Sequence, residues 1–384
     1  MMGLKRLAVY LLAGSMALSC IYPYEGELDS IEGTLVIEGD IILGDFSSIS
    51  VSRALAIDGT FDKGRHVRSK VWAEDDEGTV YPGDENGRLD LRGASDDRQY
   101  RLHVADLESS RTYVSQWRDP QKAPVIESID FRVEETDNQT LHRPMGEARL
   151  TMRAQEGAGR YFRWDYEQEW QYHAAYNIGM DYDFDLEDYV FVDENPLYWC
   201  WTSSRSSEAQ IAIAIGDENN RIQDHVFLRF HTGEGDMFQK RYAVHVIARG
   251  ISEECYQYLH TLEMNSNSTG DLFAPTPSEL RGNVLCEQNP DEMVLGFIEV
   301  SRISEMRVFL SRETKAYLDL GEGPDEKLAI LTDPEDIRSH YADGWRPTHK
   351  VETENGNGIG WAPYDWCDCR LMGGTNVKPS YWED

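Results

Sequence analysis

The chain has 384 residues, with 37 Lys and Arg against 69 Asp and Glu, a formal net charge of −32. At roughly 100–200 residues per domain, that length provides for two domains, each able to bury its own core. So acidic a surface repels phosphate backbones, which excludes nucleic acid as a partner, and it repels anionic lipid headgroups as well.

The N-terminus reads as an address. Lys5 and Arg6 precede a mostly apolar run from Leu7 to Leu18. The run is too short to span a bilayer, which takes roughly 20 apolar residues, and fits the apolar core of a secretory signal. It ends in Ala17-Leu18-Ser19-Cys20, which resembles the lipobox of bacterial lipoproteins, where the cysteine thiol is acylated and the peptide is cut just before it. Residues 1–19 are therefore expected to be a lipoprotein signal peptide, and Cys20 the lipidation site that makes the membrane a partner through an N-terminal lipid anchor. Each buried CH₂ of such an acyl chain contributes about 0.8 kcal/mol, so two or more chains hold permanently. Residues 20–30, with Glu25, Glu27 and Asp29, read as an acidic tether.

Short strands separated by turn signals follow. Thr34 to Gly39, Ser48 to Ser52, Lys70 to Ala73, Thr79 to Tyr81, Tyr100 to Val104 and Thr112 to Ser115 predict an immunoglobulin-like β-sandwich over residues 31–120. Asp119-Pro120 and Ala123-Pro124 mark a boundary, because proline interrupts ladder pairing and stiffens a join. Residues 125–384 then read as a larger β-rich domain. Ile126 to Phe131 alternates, Phe162, Trp164 and Tyr166 share one face of a strand, and Gln210 to Ile215, Arg241 to Ala248, Val294 to Val300 and Met306 to Leu310 are further strands. Residues 252–264 are predicted as its one short helix, with Ser252 as N-cap and Glu253 and Glu254 in the first turn. The fold class expected is mainly β, closed by a C-terminal tail pinned through disulfide chemistry.

The cysteines fit an exported protein. Besides Cys20 there are five, which in an oxidising compartment suggests two disulfides and one free thiol. Cys255, on the helix, is the expected free thiol, packing as a small apolar residue. Cys367 and Cys369 are separated only by Asp368, so a bond between them would be strained and each is expected to pair elsewhere. The disulfide candidates are thus Cys200, Cys286, Cys367 and Cys369, with their connectivity open. The terminal Tyr381-Trp382 pair, close behind them, suggests a tail held against the body, since chain ends otherwise fray.

Chemistry-bearing motifs are scarce. The ten histidines form no His-Glu-x-x-His pair, no cysteines fall in C-x-x-C spacing, and there is no Gly-rich phosphate loop or G-x-S-x-G elbow. No catalytic residue, cofactor or metal is assigned. Asp181, Asp183 and Asp185 open like a calcium loop, yet an EF-hand needs glycine at place six and glutamate at place twelve, where Leu186 and Val192 stand. The three remain calcium candidates of a looser site, with Glu187 or Asp188, against the plainer reading of a solvated acidic loop. Asp165, Glu167 and Glu169 alternate opposite an aromatic face, the pattern of a strand with one wet side. The 20 Tyr and 10 Trp either fill cores, as expected of Trp72, Trp164 and Trp170, or stack on sugars and protein partners from the surface.

Over nearly the whole chain beyond Cys20 the sequence resembles a Bacteroidota lipoprotein family known as domain of unknown function four-two-four-nine. The likeness rests on Leu35-Val36-Ile37-Glu38-Gly39, Ser50-Val51-Ser52-Arg53, Tyr113-Val114-Ser115, Trp164-Asp165-Tyr166, Cys200-Trp201, Leu272 to Pro277, Arg281-Gly282-Asn283-Val284 and Leu295-Gly296-Phe297. It rests most on the end: Cys367-Asp368-Cys369-Arg370, Gly373-Gly374-Thr375, Lys378-Pro379 and Tyr381-Trp382. The resemblance implies an outer-membrane lipoprotein at the cell surface, a TonB-dependent receptor as partner, and an accessory role in nutrient uptake without enzymatic activity. An adhesin or glycan-binding lipoprotein is the alternative, and a hydrolase hidden in the second domain a more distant one. The ligand is not named by the sequence.

Overall fold

The computed structural model describes residues 33–54, 65–134, 145–192, 195–207, 209–215, 220–231, 235–238, 240–267, 281–311, 328–353 and 356–383. The signal segment 1–19, Cys20, the tether 20–30 and the stretch 272–277 lie outside these residues. The protein is mainly β, with two α-helices among the described residues, Glu253–Asn267 and Pro334–Ala342.

Alternating burial builds the first core. Strand Leu35–Glu38 turns Leu35 and Ile37 inward, and Tyr100–Asp106 does the same with Tyr100, Leu102 and Val104. These side chains come from two facing sheets. One contains Leu35–Glu38, Ser50–Arg53 and Arg65–His66; the other contains Ser69–Asp75, Val80–Pro82, Tyr100–Asp106 and Arg111–Ser115. The segment 31–120 does not close this sandwich alone. Leu35–Glu38 also pairs in parallel with Val294–Leu295, Ile41–Ile42 with Val300–Ser301, and Arg111–Ser115 takes Val284–Cys286 as an antiparallel neighbour. Val284, Cys286, Val294, Ile298 and Val300 complete its core. The single strand expected over 294–300 is two short ones, split at Gly296. That glycine has φ +130°, and a Cβ there would meet the Ile37 carbonyl oxygen at 2.0 Å, so no side chain fits.

The second core lies between a three-stranded and a five-stranded sheet. The first is formed by Val125–Glu134, Met145–Arg153 and Arg221–His231. The second is centred on Tyr161–His173 and Arg241–Ile251, flanked by Trp199–Arg205, Gln210–Ile213 and Ile303–Phe309. Phe162, Trp164, Tyr242, Val244 and Val246 meet Leu150, Met152 and Phe230 inside it. Trp72 lies outside both clusters, stacked on His103 at 5.0 Å, whereas Trp164 is fully buried as expected.

Helix Glu253–Asn267 starts where Ser252 accepts the Cys255 N–H at its Oγ, 3.2 Å away, and buries Cys255 beside Tyr161 and Ile251. Pro334–Ala342 went unforeseen. It has Pro at its first position and an Asp333 N-cap, yet buries only Ile337, so no apolar stripe betrays it in sequence. That helix packs with the hairpin Met180–Asp183/Asp188–Phe191 and the sheet of Ala329–Ile330, Trp345–Thr353 and Gly356–Pro363, around Tyr182, Ile337 and Trp361.

Buried charges join the first two cores. Asp40 receives Arg249 Nη1 at 2.7 Å and Arg163 Nη1 at 3.2 Å, and Arg249 also pairs with Asp165. Glu299, only 1 % exposed, accepts the Ser252 N–H at 2.9 Å, and burial pushes its carboxyl above the usual range.

Candidate functional site

A cleft of about 520 Å³ opens where the second core meets the C-terminal sheet, lined by Ala175, Tyr176, Asn177, Gly179, Tyr198, Thr348 and His349. Strand Tyr161–His173 runs directly into its floor. Ala174 N–H donates to Tyr198 O at 2.9 Å, and Tyr176 N–H to Trp366 O at 3.1 Å. Thr348 is buried, its Oγ1 donating to Gly360 O at 3.0 Å, and it sits where the pairing of Trp345–Thr353 shifts register between Pro347 and Lys350. Tyr198 stacks on His173 at 5.0 Å and meets Trp199 edge-on at 4.9 Å, while Lys240 lies 5.2 Å above the Trp199 ring. Burial raises the Tyr198 phenol above its ordinary range, so it stays protonated.

The C-terminal segment clamps one side of the cleft. Cys200, beside Tyr198 and Trp199, bonds Cys369 across 169 residues of sequence. Tyr172 Oη donates to Cys369 O at 2.9 Å, Cys369 N–H to Leu197 O at 2.9 Å, and Asn195 Nδ2 to Cys367 O at 3.1 Å. Trp201 and Thr375 exchange both main-chain hydrogen bonds, at 2.8 and 2.9 Å. Gly374 makes this approach possible, because a Cβ there would stand 2.3 Å from Tyr172 Oη and 2.9 Å from Trp201 O. Asp368 caps the following turn through Arg370 N–H and pairs with the Arg370 guanidinium at 2.7 Å, which holds its carboxyl below the usual range. Further along, Trp382 packs edge-on to Phe309 and Tyr381 Oη donates to Glu169, so the tail is pinned.

Of the disulfide candidates only Cys200 and Cys369 are joined. Cys286 and Cys367 are buried free thiols alongside Cys255, so the expectation of two disulfides is corrected to one among the described residues. The reason is placement: Cys286 belongs to the first core, while Cys367 faces Pro363 O within the clamp. Asp181 and Asp183 spend their Oδ1 atoms on turn N–H groups, of Tyr182 in one case and of Asp185 and Leu186 in the other, and with Asp185 they do not converge as a ligand set. One group of metal-ligating side chains does converge among the described residues: Glu167, Glu169 and His245. Arg307 already puts its guanidinium there, with Nε 2.7 Å from Glu169 and Nη2 3.1 Å from His245 Nδ1. The protein thus satisfies this group internally. The expected wet strand side is also corrected, since Glu169 is 2 % exposed and Asp165 pairs with Arg249.

Residues 21–307 match the family described as "Domain of unknown function (DUF4249)". The chain belongs to that family. The match takes in Ala175 to Gly179 and Tyr198 of the cleft and stops short of Thr348, His349 and the Cys367 to Trp382 stretch on which the sequence resemblance rests most. No curated protein matches this DUF4249 chain. Sequence reasoning missed the cleft because its aromatics come from three distant segments, and only the crowding of aromatics near Tyr172 and Trp199 hints at it. No helix among the described residues is long and apolar enough to cross a membrane.

Proposed function

We propose that this DUF4249 member is a lipid-anchored binding protein of the cell envelope. It sits on the outer membrane with its body exposed, holds a small ligand in the Tyr176/Tyr198/His349 cleft, and serves a TonB-dependent transporter. The observation that carries the binding role is the cleft itself: a concave space of about 520 Å³, walled by aromatic rings and a few polar groups, on a frame fixed by a disulfide. Small-molecule sites have that size and makeup. The anchor and its location rest on the Ala17-Leu18-Ser19-Cys20 sequence and the acidic run behind it. The transporter rests on the family resemblance.

The test is purification of the tagged full-length protein from native outer membranes in gentle detergent, followed by mass spectrometry. Stoichiometric recovery of a TonB-dependent receptor, lost when Cys20→Ser releases the protein from the membrane, is the expected result. Recovery of the protein alone would overturn the transporter role.

A further inference from the structure

Five rings extend the cleft into a ribbon. His349 and Tyr176 lie 6.1 Å apart at 27°, Tyr176 and Trp366 6.3 Å at 32°, Trp366 and Trp345 6.5 Å at 50°, and Trp345 and His340 5.3 Å at 84°. None of the five is buried; His349 is exposed and the other four are half-buried. The core aromatics Phe162, Trp164 and Tyr242 are, by contrast, fully enclosed. A ring that fills a core loses its water on all sides, so a row of rings each keeping one side wet presents apolar faces to something outside.

The polar groups of the cleft narrow the ligand. Among the described residues the cleft lining holds no carboxylate, lysine or arginine, on a chain with 69 acids and 37 bases. Its polar members are the Asn177 amide, the His349 imidazole and the tyrosines, which recognise hydroxyl groups rather than a charge, while the buried Thr348 hydroxyl is already given to Gly360 O. A ligand with flat apolar faces, a rim of hydroxyls and no net charge is a neutral saccharide. An extended peptide fits less well, because it needs an uninterrupted main-chain edge. Here the wall strand breaks register between Pro347 and Lys350, Pro347 has no donor, and Thr348 O accepts the Gly179 N–H at 3.4 Å.

We infer that the cleft and its aromatic ribbon bind a neutral oligosaccharide, with sugar faces stacked on Tyr176, His349 and Trp366. This names the ligand class of the site proposed above and rests on that reading. The test applies full-length protein in detergent to an array of neutral oligosaccharides, and in parallel to a library of small aromatic compounds and short peptides, with indole fluorescence of Trp366 and Trp345 as the solution readout. Saccharide binding is expected. Tyr176→Ala should weaken it about tenfold, and Tyr176→Phe, which keeps the stacking ring and loses only the hydroxyl, should weaken it less. His349→Ala, on an exposed side chain that does not threaten folding, should weaken it as well. If only aromatic compounds or peptides bind, and Tyr176→Ala abolishes that, the saccharide assignment falls while the binding protein stands. Saccharide binding indifferent to both alanine variants would overturn the cleft as its site. Silence from every probe would overturn both.

Discussion

Arg249 Nη1 lies 2.7 Å from Asp40 Oδ2, with the carboxylate side chain 3 % exposed, so the second core holds the first through a buried ion pair. Removing one member leaves the other charge uncompensated. Asp40→Ala is therefore expected to lower the unfolding free energy by about 3 kcal/mol in urea denaturation. A loss well under about 1 kcal/mol would mean that the pair behaves as a solvated surface bridge.

Glu299 gives this join a dependence on pH. Its folded-state pKa is raised by burial, so its protonated form favours folding; that contribution is complete below the unfolded pKa and fades as pH rises through the folded one. Glutamine is neutral throughout. The stability of Glu299→Gln relative to the wild type should thus improve as pH rises from about 4 towards neutrality, as read from paired denaturation curves. A difference that stays flat over that range would contradict a raised pKa.

The Cys200–Cys369 bond closes 169 residues of chain and fixes the flank of the cleft. Cys369→Ser should cost about 3 kcal/mol of stability. Reductant should destabilise the wild type by a similar amount and leave the variant unchanged, since the remaining cysteines described, Cys255, Cys286 and Cys367, are already thiols.

Gly374 tests the clamp without touching sulfur. Gly374→Ala forces a methyl against Tyr172 Oη and Trp201 O, and is expected to cost about 1–3 kcal/mol. Amide exchange should quicken at Thr375 and Trp201, whose N–H groups hold the junction, and remain unaltered in the first core around Tyr100.

Sequence reading reached those parts of the fold that carry a local period. Leu35–Glu38 and Tyr100–Asp106 alternate inward and outward side chains over enough residues to be recognised as strands, and Ser252 announces its helix through capping chemistry. A strand is legible over Val294 to Val300, but its division into Val294–Leu295 and Val300–Ser301 leaves two residues each, too few to show the break, and their parallel partners lie some 260 residues upstream. Cys200 and Cys369 were recognisable as candidates by residue type, while their pairing depends on how Tyr172 and Leu197 bring the C-terminal turn home. The carboxylates of Tyr161–His173 looked solvated because their arginine partners, Arg249 and Arg307, stand on other strands. The cleft is legible only after Tyr176, Tyr198 and His349 have been gathered from separate loops and strands.

The return of residues 284–301 to the first sandwich also sets an order of synthesis. Domains emerging from a ribosome generally fold in sequence, the N-terminal one first. Here the N-terminal sandwich lacks three of its strands until Ser301 has been made, by which point most of the strands of the second core are already available. The part of the molecule nearest the expected anchor is thus the one that must wait for the rest of the chain, and a polypeptide ending near residue 270 would leave Leu35, Ile41 and Tyr113 without the neighbours that complete their sheets.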